Sequence, residues 1–122
     1  MRIVATGHTP VGVIPVKDPN DHRLSMSERV LHEAVEELAA NRGWHSFHTY
    51  LSRHSKAGFP DLVLWHTGLQ RTLFVELKST SGMVREDQDA TLQQLADAGQ
   101  HVHIWRPADW ITGTIAAELR RR

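Results

Sequence analysis

The chain has 122 residues and predicts one small α/β domain in which helices flank a mixed β-sheet. Two observations lead to this prediction. Short apolar runs rich in Val, Leu and aromatic residues are typical of strands, and longer stretches with apolar residues every three or four positions are typical of helices. These patterns follow one another in the order helix, three strands, helix, strand, helix. A mixed sheet accommodates that order with short connections.

The first helix is predicted to begin at Ser25 and to stop at Gly43. Ser25, followed three positions later by Glu28, fits a capping box, and glycine is a common helix terminator. The predicted apolar stripe consists of Val30, Leu31, Ala34, Val35 and Leu38. Residues 1–24, which contain several Pro and Gly, are predicted to form an irregular arm, and residues 25–122 form the domain.

Three strands are predicted at 44–51, 62–65 and 73–77. The first is assigned from its high β propensity, and the other two from their apolar runs. Residues 67–70 lie between the second and third strands and contain Gly68, which indicates a hairpin.

A second helix is predicted over about 85–98, with Gln88 on its inward stripe. A strand at 101–105 and a last helix from Pro107 to about 120 complete the chain. His101 and His103 share one face of that strand, and two histidines at this spacing can ligate zinc. No third ligand has motif-like spacing, so we give a zinc site there little weight.

Three charged residues, Asp61, Glu76 and Lys78, interrupt the apolar pattern of the hairpin. Glu76 and Lys78 share a face because side chains alternate across a strand. If the hairpin folds symmetrically about its loop, Asp61 lies opposite Glu76, with Cβ atoms about 4.5–5.5 Å apart. Two carboxylates at that distance repel unless a cation lies between them, and Mg²⁺ prefers such oxygen ligands. A one-residue slip would place the two acids on different faces.

Pro60-Asp61, followed fifteen positions after Asp61 by Glu76-Leu77-Lys78, resembles the PD-(D/E)xK signature of restriction-endonuclease-like nucleases. The likeness extends further along the chain. The segments Gly58-Phe59-Pro60-Asp61-Leu62 and Ser27-Glu28, together with Gln88, resemble the VRR-NUC family of virus-type replication-repair nucleases. The resemblance covers about residues 25 to 119, and it implies a PD-(D/E)xK core and metal-dependent cleavage of DNA.

The resemblance also implies a role for each site residue. Asp61, Glu76 and the Leu77 carbonyl would bind Mg²⁺, with Mn²⁺ as a substitute. Lys78 would orient the attacking water or neutralise charge on phosphorus. Gln88 would orient Lys78 or a phosphate.

The residues alone leave two interpretations of the leading acid. The resemblance implies that Glu28 faces the metal, whereas its position in the pattern favours a role in capping the first helix. Glu33 takes the place of Glu28 if the helix register differs.

The formal net charge is zero, which argues against a broad, sequence-blind DNA-binding surface. The charge is uneven, however, because no acidic residue lies between Glu37 and Asp61. Arg53 and Lys56 in this interval suit either a solvated loop or a rim that contacts DNA phosphates.

The resemblance implies branched, flap or junction DNA as the substrate, in a phage or DNA-repair setting. No recognition helix or zinc finger is visible, so base-specific reading is not expected. A homodimer would place two sites on one substrate. No membrane span or signal peptide is visible, so a cytoplasmic protein is expected. Two alternatives stay open: a catalytically inactive nucleic-acid-binding module on a nuclease fold, and a protein that binds metal through its histidines.

Overall fold

The structure is a computed structural model that describes residues 20–49 and 58–122. Within these two ranges, four strands and four α-helices follow a short 3-10 helix, His22–Ser25. In chain order they are α1 (Glu28–Asn41), β1 (His45–His48), β2 (Leu62–His66), β3 (Arg71–Leu77), α2 (Glu86–Asp97), β4 (His101–Trp105), α3 (Pro107–Ile111) and α4 (Thr114–Arg120).

The four strands form one sheet in the order β1-β2-β3-β4. The first three strands are antiparallel neighbours, and β4 pairs with β3 in parallel after the chain crosses over through α2. Parallel neighbours need such a crossover, usually a helix. The predicted mixed sheet with flanking helices is therefore confirmed.

The hairpin of β2 and β3 has the register predicted from its loop. Leu62 pairs with Val75, and His66 pairs with Arg71 on either side of residues 67–70. The same register continued by one residue places Asp61, which lies just before β2, opposite Glu76. A symmetric hairpin thus brings the two acids to one end of the sheet.

The main core lies between one face of the sheet and helices α1 and α4. Its fully buried members include Leu31 and Val35 of α1, Leu64 and Leu73 of the sheet, and Ile115 of α4. Each such aliphatic side chain contributes about 1.5–3 kcal/mol through burial. Strand alternation directs Glu76 to the opposite face, which α2 covers.

The start of α1 corrects two predictions. Ser27, not Ser25, is the N-cap, and its hydroxyl accepts a hydrogen bond from the Val30 amide at 3.1 Å. The Ser25 hydroxyl instead donates to the His22 carbonyl at 2.6 Å, within the 3-10 helix. Glu28 is consequently the first helical residue and has no part in a capping box. Val30 is 42 % exposed, so the prediction that it belongs to the buried stripe is wrong.

Two further boundaries differ from the prediction. The first strand is His45–His48, shorter than 44–51, and its predicted end at 50 and 51 lies outside the described residues. The single last helix is in fact α3 and α4, because Gly113 adopts φ 79° between them, a left-handed conformation that ends a right-handed helix.

Most of the predicted arm, residues 1–19, also lies outside the described part of the chain. Within 20–49 and 58–122, no helix combines the length and apolar character that crossing a membrane requires.

Candidate active site

The Glu76 carboxylate is the centre of the candidate site. Glu76 lies near the end of the interior strand β3 and is only 1 % exposed. Its Oε2 atom accepts a hydrogen bond from Gln88 Nε2 at 2.7 Å and lies 3.4 Å from Lys78 Nζ. Its Oε1 atom is buried and has no hydrogen-bond partner among the residues that the structure describes. A buried carboxylate oxygen of this kind is costly unless something binds it.

The pKa of Glu76 is raised to about 7, chiefly by burial and also by the charge of Asp61. The ammonium group of Lys78 acts in the opposite direction. The two acids therefore repel each other across the end of the hairpin, as expected for carboxylates placed to share a cation.

Asp61 is held by backbone contacts on both sides. Its Oδ2 atom accepts a hydrogen bond from the Leu77 amide at 3.3 Å, and its carbonyl accepts from the Thr49 amide at 2.9 Å. The Thr49 hydroxyl also donates to the Pro60 carbonyl. The Asp61 carboxylate is thus fixed between the end of β1 and the end of β3.

The segment that leads into Asp61 lies against the start of α2. Gly58 is buried and has φ 91°. A Cβ atom at this position would lie 2.6 Å from the Asp87 carbonyl oxygen. Both a positive φ and the lack of a side chain are therefore required here, which ties the loop before Asp61 to the helix that carries Gln88.

The Gln88 amide is oriented by the helix in which it lies. Its Oε1 atom accepts a hydrogen bond from the Arg85 backbone amide at 3.0 Å, so Nε2 faces Glu76. Gln88 is 5 % exposed, in agreement with its predicted place on the inward stripe. The contact that the structure shows for its Nε2 atom is with Glu76.

The turn after Lys78 is held by Arg106, a residue that the sequence did not single out. Arg106 Nη1 donates to the carbonyl oxygens of Ser79 and Gly82, both at 2.7 Å. The Lys78 amide in turn donates to the Trp105 carbonyl at 3.0 Å. Lys78 itself is 7 % exposed, so its ammonium group is confined beside Glu76. Arg106 directly precedes Pro107, and no local pattern indicates its contact with a turn more than twenty positions earlier.

Glu28 lies in the first turn of α1, on a cleft of ≈ 440 Å³ that is also lined by Arg29, His32 and Asp61. Glu33 is exposed and forms an ion pair with Arg29 at 3.5 Å. Of the two candidate leading acids, Glu28 is thus the one that shares a cleft with Asp61. Arg53 and Lys56, the predicted DNA contacts, lie outside the described residues.

His101 and His103 lie on β4, as predicted, but away from this centre. His101 is exposed, and His103 Nε2 lies 3.7 Å from Glu118 Oε2. Burial lowers the pKa of His103 to about 4. In the described part of the chain, the histidines that converge with a carboxylate are a different pair, His32 and His48.

A mixed sheet that presents acids and a lysine at the ends of its central hairpin defines a protein of the restriction-endonuclease-like class. Comparison with protein families gives the particular member of this class. The model of the VRR-NUC domain matches residues 13–108, well over half of the chain, and the protein belongs to the VRR-NUC family. The resemblance inferred from the sequence is confirmed. The family is of the nuclease type, which implies a DNA substrate. Neither the curated proteins nor the solved structures gave a match.

Proposed function

We propose that this protein is a metal-dependent endonuclease that hydrolyses DNA phosphodiester bonds. The observation that carries the proposal is the Glu76 carboxylate, which is buried opposite Asp61, has one oxygen without a described partner, and lies beside an equally confined lysine. Such a group is poorly placed for stability, and carboxylate pairs beside a lysine suit metal-assisted hydrolysis.

The donor set fits a divalent cation with hard oxygen ligands. Asp61 and Glu76 would hold Mg²⁺ or Mn²⁺, the Leu77 carbonyl is a third candidate ligand, and Glu28 would contribute from the cleft. When bound, such an ion polarises a phosphodiester and lowers the pKa of water, so that a nucleophile forms near neutral pH. The raised pKa of Glu76 also indicates a carboxylate that gains from a nearby positive charge.

The remaining roles belong to the protein's own side chains. Lys78 holds a positive charge beside Glu76, where it would orient the attacking water or stabilise charge that develops on phosphorus. Gln88 positions the Glu76 carboxylate through its hydrogen bond, and Arg106 holds the turn that follows Lys78. These contacts restrict how far either charged group moves during the reaction.

We further propose a branched, flap or junction DNA substrate and a homodimer that places two sites on one substrate. The support is the small size of the domain and the neutral net charge, which suit recognition of local DNA shape rather than coverage of a long duplex. Arg53 and Lys56 are the proposed phosphate contacts. A phage or repair setting and a cytoplasmic location belong to the same proposal.

The test is a cleavage screen over duplex, single-stranded, flap and four-way-junction DNA with Mg²⁺ and with Mn²⁺. We expect Asp61→Asn and Lys78→Ala each to lower cleavage by about 10²–10³-fold. Asp61→Asn is also expected to abolish the thermal stabilisation that Mg²⁺ gives the wild type, since ligands that bind the native state stabilise it. DNA binding without cleavage of any substrate by the wild type would instead identify an inactive binding module.

Glu28→Gln and Glu33→Gln form a matched pair on the same helix. We expect Glu28→Gln to weaken metal-dependent cleavage and Glu33→Gln to leave it unchanged, because only Glu28 is among the residues that line the cleft with Asp61. The reverse result would make Glu33 the leading acid.

A further inference from the structure

A second group of potential metal ligands lies on α1 and β1. His32 Nε2 is 2.6 Å from Glu36 Oε1 and 3.1 Å from His48 Nδ1. His48 Nε2 also contacts Glu36 Oε1. His32 is 7 % exposed, and Glu36 and His48 are partly buried. A ligand atom from each of the three residues lies within 4.8 Å of the other two.

We propose that His32, Glu36 and His48 form a binding site for a transition-metal ion of the zinc type, distinct from the Asp61–Glu76 centre. Two imidazoles and a carboxylate are the ligand types that bind zinc, and imidazole favours such ions over Mg²⁺. The two centres in this protein would thus select different metals.

The three proposed ligands come from two neighbouring elements, helix α1 and strand β1. His32 and Glu36 are four residues apart on α1, so they share one face of the helix. His48 reaches them from the last position of β1, where its ring packs on that of His32 at a centroid distance of 4.7 Å. The helix thus presents two ligands, and the neighbouring strand presents the third.

The distances are close to those that a metal requires. Ligand atoms about 2.1 Å from a tetrahedral ion lie about 3.4 Å from one another. The His32–Glu36 and His32–His48 separations of 2.6 Å and 3.1 Å would therefore widen by less than about 1 Å on binding, and the shorter His48–Glu36 contact would widen somewhat more. Side-chain rotations of His48 and Glu36 supply such changes. Three protein ligands leave one coordination position for water or another group.

Metal binding here would have a structural consequence for the nuclease centre. His32 also lines the cleft that contains Glu28 and Asp61. An ion held between α1 and β1 would fix the first turns of α1 relative to the end of the sheet. The site would then help to set the distance between the leading acid and Asp61.

The test is Zn²⁺ binding by isothermal titration calorimetry, on protein freed of metal by a chelator. The Asp61→Asn variant serves as the starting protein, so that the nuclease centre contributes little binding. We expect about one equivalent of Zn²⁺ to bind, without competition from Mg²⁺. Adding His48→Ala should lower the affinity at least about a hundredfold, because one of three ligands is lost.

His45→Ala in the same background is the matched control. His45 lies on the same strand, is exposed, and stacks on Trp65 at a centroid distance of 5.7 Å. We expect it to leave Zn²⁺ affinity unchanged. Glu36→Gln provides a second test if His48→Ala does not fold, and the rise in melting temperature with Zn²⁺ gives a second measurement.

Absence of Zn²⁺ binding to the Asp61→Asn protein would overturn the proposal, as would equal affinity in His48→Ala or Glu36→Gln. Either result would leave a hydrogen-bonded network that joins α1 to β1 without a metal. Cleavage of DNA with Mg²⁺ is measured separately on the wild type, so failure of the zinc site and failure of the nuclease activity are distinguishable.

Discussion

Gln88 donates a hydrogen bond of 2.7 Å to Glu76, and so connects the first turn of α2 to the buried end of β3. The acceptor end of the same amide is occupied by the Arg85 backbone. One side chain therefore both stabilises the start of a helix and sets the orientation of the central carboxylate. In the proposed mechanism Gln88 is a positioning residue, and its loss is expected to affect both stability and metal binding.

Gln88→Ala is expected to raise the Mg²⁺ concentration needed for cleavage by about 10–100-fold, because Glu76 loses the donor that orients it. The free energy of unfolding should fall by about 1–2 kcal/mol, because the Arg85 amide loses its acceptor. Mg²⁺ titration of cleavage and urea unfolding measure the two effects. Gln94→Ala, at an exposed position of the same helix, should change neither. An unchanged Mg²⁺ requirement in Gln88→Ala would exclude the positioning role.

Gly58→Ala and Gly99→Ala separate a close contact from a strained backbone. Both glycines have φ near 90°, and each alanine should cost about 1–2 kcal/mol for this reason. Only at Gly58 does a Cβ meet backbone atoms, whereas none lies within 4 Å at Gly99. Gly58→Ala should therefore cost a further ~1–3 kcal/mol of unfolding free energy in urea denaturation. Equal losses in the two variants would show that the loop before Asp61 does not depend on its approach to α2.

Substitutions of Arg106 test whether activity requires the turn after Lys78 to be held in place. Its Nη1 atom donates to two carbonyls at once, and the ammonium group on a flexible lysine stem reproduces the position of that nitrogen in a planar guanidinium only in part. We expect Arg106→Ala to reduce cleavage about tenfold and Arg106→Lys to recover part of this loss. Steady-state cleavage rates at saturating Mg²⁺ measure the effect. If Arg106→Lys restores full activity, a positive charge at this position is sufficient and the planar guanidinium is not required.

The buried His103 is expected to make the protein less stable as the pH is lowered. Burial lowers its pKa to about 4, below the ordinary 6.5, although Glu118 acts against this and Arg71, His101 and Arg121 act with it. Between these values the unfolded chain binds more protons than the native protein. The stability that a neutral His103 provides is therefore complete above about pH 6.5 and is lost as pH falls towards about 4.

The measurement is urea unfolding at about pH 7 and about pH 5. Between these pH values the free energy of unfolding of the wild type should fall by up to about 2 kcal/mol more than that of His103→Gln, since a glutamine does not titrate. His101→Gln, exposed on the same strand, is the control and should lose nearly as much stability as the wild type, because His101 contributes less to the lowered pKa of His103 than burial does. The wild type and His103→Gln have every other titrating group in common, so the contributions of those groups largely cancel in the comparison of these two proteins. An equal loss in His103→Gln and the wild type would contradict the assignment.

The hairpin and its acids were predictable because a four-residue loop fixes the register of two adjacent strands. Once residues 67–70 are assigned to the loop, the pairing of Leu62 with Val75 follows, and Asp61 is placed opposite Glu76. Gln88 was also predictable, since helical periodicity places it four residues before the buried Leu92. These predictions depend only on neighbours along the chain.

The wrong predictions for the first and last helices arose where the same stretch of sequence suits two different local structures. Ser25 with Glu28 matches a capping box, yet Ser27 is the cap because a 3-10 helix uses the Ser25 hydroxyl first. The sequence around Gly113 fits one continuous helix, but Gly113 adopts φ 79° in the structure and divides that helix into two. The contact of Arg106 with the turn after Lys78, and that of His48 with α1, join distant parts of the chain. The periodicity of apolar residues along the chain does not indicate contacts between distant segments.

The indole of Trp44 donates a hydrogen bond of 3.0 Å to the Leu119 carbonyl, and Ile115 and Leu119 of α4 are almost completely inaccessible to water. All of α4 lies beyond residue 108, where the family match ends. Truncation at that boundary would remove Ile115 and Leu119 from the main core and expose apolar residues of the same cluster. The smallest fragment that folds independently should therefore extend at least to the end of α4, beyond the residues that the family model matches.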